Sequence, residues 1–385
     1  MKKNLEIYLH IPFCMKKCDY CDFLSFNADE QTQKEYIKAL IRDIRYYGEN
    51  MQEYQVSTIY IGGGTPSWMN EIWIQTIMAE LLEAFDVIGN AEITMECNPG
   101  TLTSRKLLTY RNSGINRLSI GLQSADDEEL KILGRINTFD QFLKYYEGAR
   151  VAGFDYINVD LMSCIPRQNT QKFVNSLNKV IRLKPDHISA YTLIIEKGTP
   201  FYNRFKFDLV KQQAGLKPDE LPDEDEAYKI YKTTQTILKD AGYIQYETSN
   251  FARKGYECKH NIGYWTRENY LGIGLGAASL IENVRCTNTS DIDKYIAGEE
   301  IIVETIPIDR KAQMEEFMFL GLRMTKGINR YDFEQTFGVP IEGIYLDQME
   351  ELKKDGLLEA RAGQIYLSDK GQDLANYCMA KFLLD

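Results

Sequence analysis

The sequence predicts an α/β fold: an incomplete barrel of six strand–helix units, (β/α)6, followed by a small winged-helix-like α+β module. Three observations carry this. Short β-branched or apolar runs recur at 6–11, 58–62, 92–96, 117–121, 157–162 and 187–192. Between them lie stretches with apolar residues near helical spacing, as at 34–47, 72–85, 139–151 and 173–183. Near 302–309 the pattern changes, and helices are then followed by a small hairpin.

Alternation of strand and helix calls for a mostly parallel sheet. In barrels of this kind chemistry gathers at the C-terminal ends of the strands. The first strand runs toward Cys14 and the second into Gly62-Gly63-Gly64. The third ends at Glu96, the fourth leads to Gln123, and the fifth carries Asp160. The stretch 205–226 is charged, contains Pro218 and Pro222, and reads as an excursion before a helix at 227–241. Further on, Met314, Phe317, Met318, Gly321 and Leu322 share one helical face. A second helix at 345–355 leads into Gly356-Leu357-Leu358-Glu359, a turn at Ala362-Gly363-Gln364, and Ile365-Tyr366-Leu367. These readings divide the chain into a core, residues 1–305, and a C-terminal domain, residues 306–385.

The net charge of −11 disfavours broad binding to nucleic acid or to an anionic membrane. Residues 309–385 hold ten Lys/Arg against fourteen Asp/Glu, so the C-terminal module lacks the basic excess of a DNA-binding domain. No apolar run approaches a membrane span, which leaves only peripheral membrane contact open. The first residues, Met1-Lys2-Lys3-Asn4-Leu5-Glu6, lack the apolar core of a signal peptide. Five of the eight cysteines are scattered, which suits a reducing compartment better than a disulfide framework. A cytoplasmic location is expected. Oligomeric state has no signal in the sequence.

The other three, Cys14, Cys18 and Cys21, are close together. Three such thiolates can hold three irons of a 4Fe-4S cluster and leave the fourth iron open; a closed cluster takes four cysteines. The same spacing also describes one face of a helix. With His10, the three could instead form a tetrahedral zinc site. Pro12 and the polar Lys16-Lys17-Cys18-Asp19 favour a loop over a helix.

The Cys-x3-Cys-x2-Cys arrangement after Tyr8-Leu9-His10-Ile11-Pro12-Phe13 resembles the radical S-adenosylmethionine (SAM) superfamily. It is most similar to the branch containing oxygen-independent coproporphyrinogen III oxidase and the HemW-like heme chaperones. The resemblance covers nearly the whole chain and implies a TIM-like radical SAM barrel with a HemN-like C-terminal domain. It also implies a 4Fe-4S cluster on Cys14, Cys18 and Cys21, with SAM chelating the open iron. An electron from a donor such as flavodoxin or ferredoxin would then cleave the sulfonium bond.

The same resemblance assigns the SAM contacts. Gly62, Gly63, Gly64 and Thr65 match the segment near the SAM amino group, and Glu96 of Glu96-Cys97-Asn98-Pro99 matches the ribose acceptor. Gln123 matches a contact to the sugar or methionine part. Arg135 suits the SAM carboxylate, which a guanidinium pairs with bidentately. Asp160 and Tyr8 complete the set. Read singly, each has a plain structural alternative: a turn, a surface carboxylate, a solvated arginine, a core tyrosine.

Two features favour the chaperone side of the branch. Phe23 stands where the oxidase pattern continues with another cysteine. His260-Asn261-Ile262-Gly263-Tyr264-Trp265 matches the His-Asn-x-x-Tyr-Trp motif of HemW-like proteins. Imidazole is a common axial ligand of heme iron, so His260 is the expected heme ligand, ahead of His187 and His10. The implied function is heme binding and transfer to recipient hemoproteins. The alternative is a radical SAM tetrapyrrole-modifying enzyme such as the oxidase. Two departures from the family weaken the transfer of porphyrin contacts. Ala278 stands where a His is usual, and Cys164-Ile165-Pro166-Arg167 stands where Gly-Leu-Pro-Gly is usual.

Overall fold

The computed structural model describes residues 2–384. Six parallel strands lie side by side in chain order: β1 (Lys3–Ile11), β2 (Tyr54–Gly63), β3 (Val87–Cys97), β4 (Arg117–Gln123), β5 (Tyr156–Ser163) and β6 (His187–Thr192). Six helices make the return connections: α1 (Glu30–Asn50), α2 (Glu71–Ala84), α3 (Ser104–Asn112), α4 (Asp127–Ile132), α5 (Phe139–Val151) and α6 (Thr170–Arg182). α7 (Pro200–Gln213) and α8 (Glu224–Asp240) follow β6, and then β7 (Ile244–Gln245) and β8 (Asn250–Ala252) extend the sheet antiparallel past β6. After α9 (Lys259–Thr266), the strand β9 (Tyr270–Ile273) joins β1 on the opposite side, parallel to it. Strands β10 (Ala278–Ile281), β11 (Val284–Asn288) and β12 (Ile302–Pro307) continue outward, with α10 (Ile292–Ala297) packed on α1. The barrel is therefore open, with a different flank on each side.

The alternation within β1 explains how one strand serves two environments. Leu5, Ile7, Leu9 and Ile11 are wholly buried in the core shared with Tyr36, Leu40 and Ile44 of α1. The intervening Glu6, Tyr8 and His10 face the barrel interior, because successive side chains of a strand point to opposite faces. Register carries this polar set across the sheet: Glu6 pairs with Thr58 and Thr58 with Glu92, while Tyr8 pairs with Tyr60 and His10 with Gly62. The interior thus has a lower polar layer and an upper one near the strand ends.

Part of the expected excursion at 205–226 is helix. Thr199 caps α7 by accepting from the Tyr202 amide, and Pro200 begins the helix, where its missing N–H costs nothing. Phe201 and Phe205, one turn apart, are buried with Leu133, Met162 and Ile165. Pro218 and Pro222 lie beyond the helix end. There the buried-side Asp208 carboxylate gathers the amides of 219, 220 and 221, folding the link back.

The C-terminal part contains α11 (Arg310–Gly321), β13 (Ile328–Asn329), α12 (Arg330–Phe337), α13 (Glu342–Lys354), β14 (Leu358–Arg361) and β15 (Gln364–Leu367). Its antiparallel sheet has the order β13-β15-β14, and its apolar cluster around Met318, Phe333, Tyr345 and Phe382 is separate from that of the barrel. Helix α12 was not expected; Phe333 and Phe337 are its buried stripe. The boundary expected between 305 and 306 falls inside β12, a strand of the large sheet. Among the described residues no helix is long and apolar enough to cross a membrane.

Candidate functional site

A cavity of about 320 Å³ opens at the C-terminal ends of the parallel strands. Cys14, Cys18 and Cys21 all line it, together with Gly63, Gly64, Thr65, Glu96, Gln123, Arg135 and Asp160. Of the ten positions expected at SAM or heme and the three expected at the cluster, only Tyr8, Gly62 and His260 lie outside its wall.

The three thiols are free. Their loop is not helical, which removes the helix-face alternative. The loop is pinned at its base: the Cys14 amide donates to the Phe26 carbonyl, and the Phe26 amide to the Pro12 carbonyl, each at 2.9 Å. Phe13 is packed edge-on against both Phe26 and Tyr36. His10 is unavailable as a fourth zinc ligand, because its Nδ1 bonds the Tyr8 hydroxyl at 2.9 Å and its Nε2 the Leu24 carbonyl at 2.9 Å. Among the described residues no three His, Cys, Asp or Glu side chains converge on one ion position. A cluster does not ask for that convergence, since each thiolate binds a different iron.

The glycine run is a close-approach device. A Cβ on Gly64 would lie 2.8 Å from the Phe13 carbonyl oxygen and 2.9 Å from the Pro12 carbonyl carbon. The cysteine loop can therefore cross the end of β2 only over glycine. Gly63 has φ +110°, and its amide donates to Glu96 Oε2 at 3.1 Å. Gly62 leaves room for the same carboxylate, which a Cβ there would meet at 3.0 Å.

Glu96 Oε1 accepts from the Tyr60 hydroxyl at 2.9 Å. Burial pushes its carboxyl up to about 7, although the Tyr60 hydrogen bond pulls the other way. Burial also raises Asp160, opposed by donation from Asn158 at 2.6 Å. Gln123 sits at φ +73° and accepts from the Tyr191 hydroxyl at 2.7 Å. Arg135 bonds the Gly121 carbonyl and stands 3.9 Å from Cys18 Sγ, so a guanidinium flanks one of the thiols. Its Nε is buried without a partner. Tyr8 lies behind the wall, stacked on Tyr60 with ring centroids 6.3 Å apart.

His260 lies away from the cavity wall. It is 1% exposed, on the first turn of α9, against the lower layer of the barrel. Its Nδ1 bonds the Thr58 hydroxyl at 2.7 Å and its Nε2 the Tyr264 hydroxyl at 3.0 Å. Both ring nitrogens are therefore bonded within the protein in this arrangement. Burial pushes the imidazole down to about 3, keeping it neutral. The helix has no side-chain cap of its own; Glu92 of β3 caps it instead, accepting from the amides of Lys259 at 3.0 Å and His260 at 3.2 Å. Gly263 lies so close to Glu6 that a Cβ would overlap the carboxylate. His187 is also fully engaged, by Asn158 at 2.6 Å and Tyr246 at 2.8 Å.

Sequence reasoning missed the supporting residues Glu6, Thr58, Glu92 and Arg117. Arg117 is 2% exposed, lines the cavity, and has a buried Nε without a partner. The available signal was polar residues at alternate positions of strands in a parallel sheet, where both faces are normally covered. The departures at Cys164 and Arg167 have a backbone counterpart: both adopt positive φ, +60° and +64°, the conformation glycine takes freely. Two non-glycine residues thus hold left-handed backbone in this loop.

The donor set fits a cluster and SAM. Three free thiols, an under-bonded guanidinium beside one of them, two side-chain-free glycines and a buried carboxylate share one wall. Comparison with known proteins agrees. The chain matches the Radical SAM superfamily over residues 8–180 and the HemN C-terminal domain over residues 308–374. It is 35% identical over 388 residues to the heme chaperone HemW of Lactococcus lactis subsp. lactis, covering 100% of this chain and 99% of the relative. It is 33% identical to HemW of Escherichia coli K12 over 387 residues, 99% of this chain and 98% of the relative. Among solved structures, coproporphyrinogen III oxidase (HemN) from Escherichia coli, a radical SAM enzyme, superposes with a TM-score of 0.84 at 25% identity. That match covers 99% of this chain and 90% of the other.

Proposed function

Because this chain belongs to the HemW family of heme chaperones within the radical SAM superfamily, we propose that it binds heme and passes it to recipient hemoproteins. The family implies a 4Fe-4S cluster and SAM as resident cofactors. The observation that carries the reading is full-length identity to HemW proteins, joined to a cavity whose wall holds the three thiols and the expected SAM contacts.

In this reading Cys14, Cys18 and Cys21 hold the cluster, and the glycine segment Gly62–Gly64 with Thr65 lets the nucleotide approach the loop. Arg135 pairs with the SAM carboxylate, Glu96 accepts from the ribose, and Gln123 and Asp160 fix the remaining polar edges. Tyr8 acts through Tyr60. The cluster and SAM together supply one-electron reductive cleavage of a sulfonium bond; the protein supplies placement and exclusion of water. A flavodoxin- or ferredoxin-type donor provides the electron. We place the domain division at the end of the large sheet, near the 305/306 step, and the protein in the cytoplasm.

Heme is cargo in this scheme. For iron to reach His260 Nε2, the Tyr264 hydroxyl must first leave it. The test runs two assays in parallel on anaerobically reconstituted protein. Heme uptake near one per chain, with transfer to an apo-hemoprotein and no consumption of coproporphyrinogen III, is the expected result. Turnover of coproporphyrinogen III with SAM and a reductant would move the protein to the oxidase side of the family.

A further inference from the structure

Tyr60 is held between two rings. Tyr8 lies on one side, and His260 lies 5.1 Å away, 23° from parallel. The Tyr60 hydroxyl reaches up to donate to Glu96. The His260 ring cannot turn away without breaking bonds at both nitrogens, to Thr58 and Tyr264. Its backbone amide is held as well, by Glu92. A continuous chain of contacts therefore runs from the floor helix through one aromatic ring to a carboxylate in the cavity wall.

That chain has a consequence for ligand binding. A buried carboxylate meets a diol well only if its oxygens are already oriented, since reorienting it on binding loses affinity. Glu96 has two such holds: the Gly63 amide fixes Oε2, and Tyr60 fixes Oε1. The backbone hold comes with the strand. The Tyr60 hold depends on the plane of a side-chain ring, and His260 is the flat surface against which that plane rests.

We propose that His260 is a positioning residue for nucleotide binding: locked in α9, its ring fixes Tyr60, and Tyr60 fixes the Glu96 carboxylate that receives the SAM ribose. The inference rests on the SAM reading given above and goes beyond it by assigning the His-Asn-x-x-Tyr-Trp helix to the nucleotide site, reached from the opposite side of the barrel. It also explains why the ring nitrogens are both engaged: a ring used as a fixed surface is best bonded at its edges.

The experiment titrates the full-length, anaerobically reconstituted protein with SAM. It reads equilibrium affinity and the change SAM makes in the electron paramagnetic resonance signal of the reduced cluster. Tyr60→Phe keeps the ring and loses one hydrogen bond to a charged group, so SAM binding weakens about tenfold. His260→Leu removes the flat surface and weakens binding by roughly threefold or more, at unchanged iron content. His260→Phe loses the same two hydrogen bonds as His260→Leu but keeps a flat ring, and its SAM affinity returns to within about twofold of the parent. A general loss of stability would affect the Leu and Phe variants alike. Equal SAM affinities for those two variants, or parental affinity in Tyr60→Phe, would overturn the proposal while leaving the SAM site intact. Should His260→Leu not fold, His260→Met, which also lacks a flat ring, takes its place in the comparison with His260→Phe. A parent protein that takes up its cluster and does not bind SAM removes the site assignment itself, and this inference with it.

Discussion

The upper and lower layers of the barrel interior are built from the same strands, a few residues apart, yet they end in opposite states. In the upper layer Glu96, Asp160 and Arg135 face open space, and the Arg135 Nε has no partner. In the lower layer Thr58, Glu92 and Asn158 meet α9, His187 and Tyr246, and their polar atoms are largely bonded within the protein. The difference lies in the cover. The floor is closed by a helix whose amides and side chains answer the strand residues; the top is crossed only by a cysteine loop lifted over glycine. A polar barrel interior is thus a ligand site or a structural hub according to what lies across it, and residue type alone does not separate the two.

The sharpest way to break this comparison is a double dissociation. Cys18→Ser should abolish cluster assembly, taking iron from roughly four per chain toward none. It should leave the unfolding free energy of the metal-free protein within about 0.5 kcal/mol. Glu92→Ala should do the reverse, costing about 2–4 kcal/mol by stripping the carboxylate from the first turn of α9, while the thiols still take up iron. Iron analysis and denaturant unfolding on the same preparations check both arms. If Glu92→Ala is neutral in unfolding, the floor is not the structural hub described.

A smaller effect sharpens the electrostatics of the floor. Burial pushes the Glu6 carboxyl up to about 9, with the Glu268 and Glu92 carboxylates adding to it. The folded state then holds a proton that the unfolded chain releases near the ordinary carboxylate value, so stability falls as pH rises from about 4.5 toward 9. Glu6→Gln carries no such proton. Its stability relative to the parent should improve steadily from pH 5 to pH 8 in denaturant titrations, and a difference that is flat across that range would show Glu6 ionised in the fold.

Much of this was legible in the sequence for a physical reason. Strands in an α/β barrel are punctuated by residues the strand ends need, and Cys14, Gly64 and Glu96 could be placed on the rim because each terminates or follows an apolar run, whereas Asp160 lies within β5 and only the family resemblance marked it. Helix α7 was obscured by the charge and prolines around 205–226, although Phe201 and Phe205 carried the helical stripe. The floor was not legible. Nothing in Glu6, Thr58 or Glu92 alone distinguishes a residue facing solvent from one facing a helix 168 to 254 positions later in the chain. The surroundings of His260 were hidden for the same reason: its motif marks the family, but its partners Thr58 and Glu92 come from β2 and β3.

The central claim is that the upper layer holds a cluster with an open iron beside a nucleotide site, above a floor closed by α9. The most direct measurement is electron paramagnetic resonance of the anaerobically reconstituted, reduced protein as SAM is added. The account predicts a four-iron signal that shifts saturably with SAM and is absent in Cys18→Ser. A single bound zinc, or a cluster signal indifferent to SAM, would contradict it.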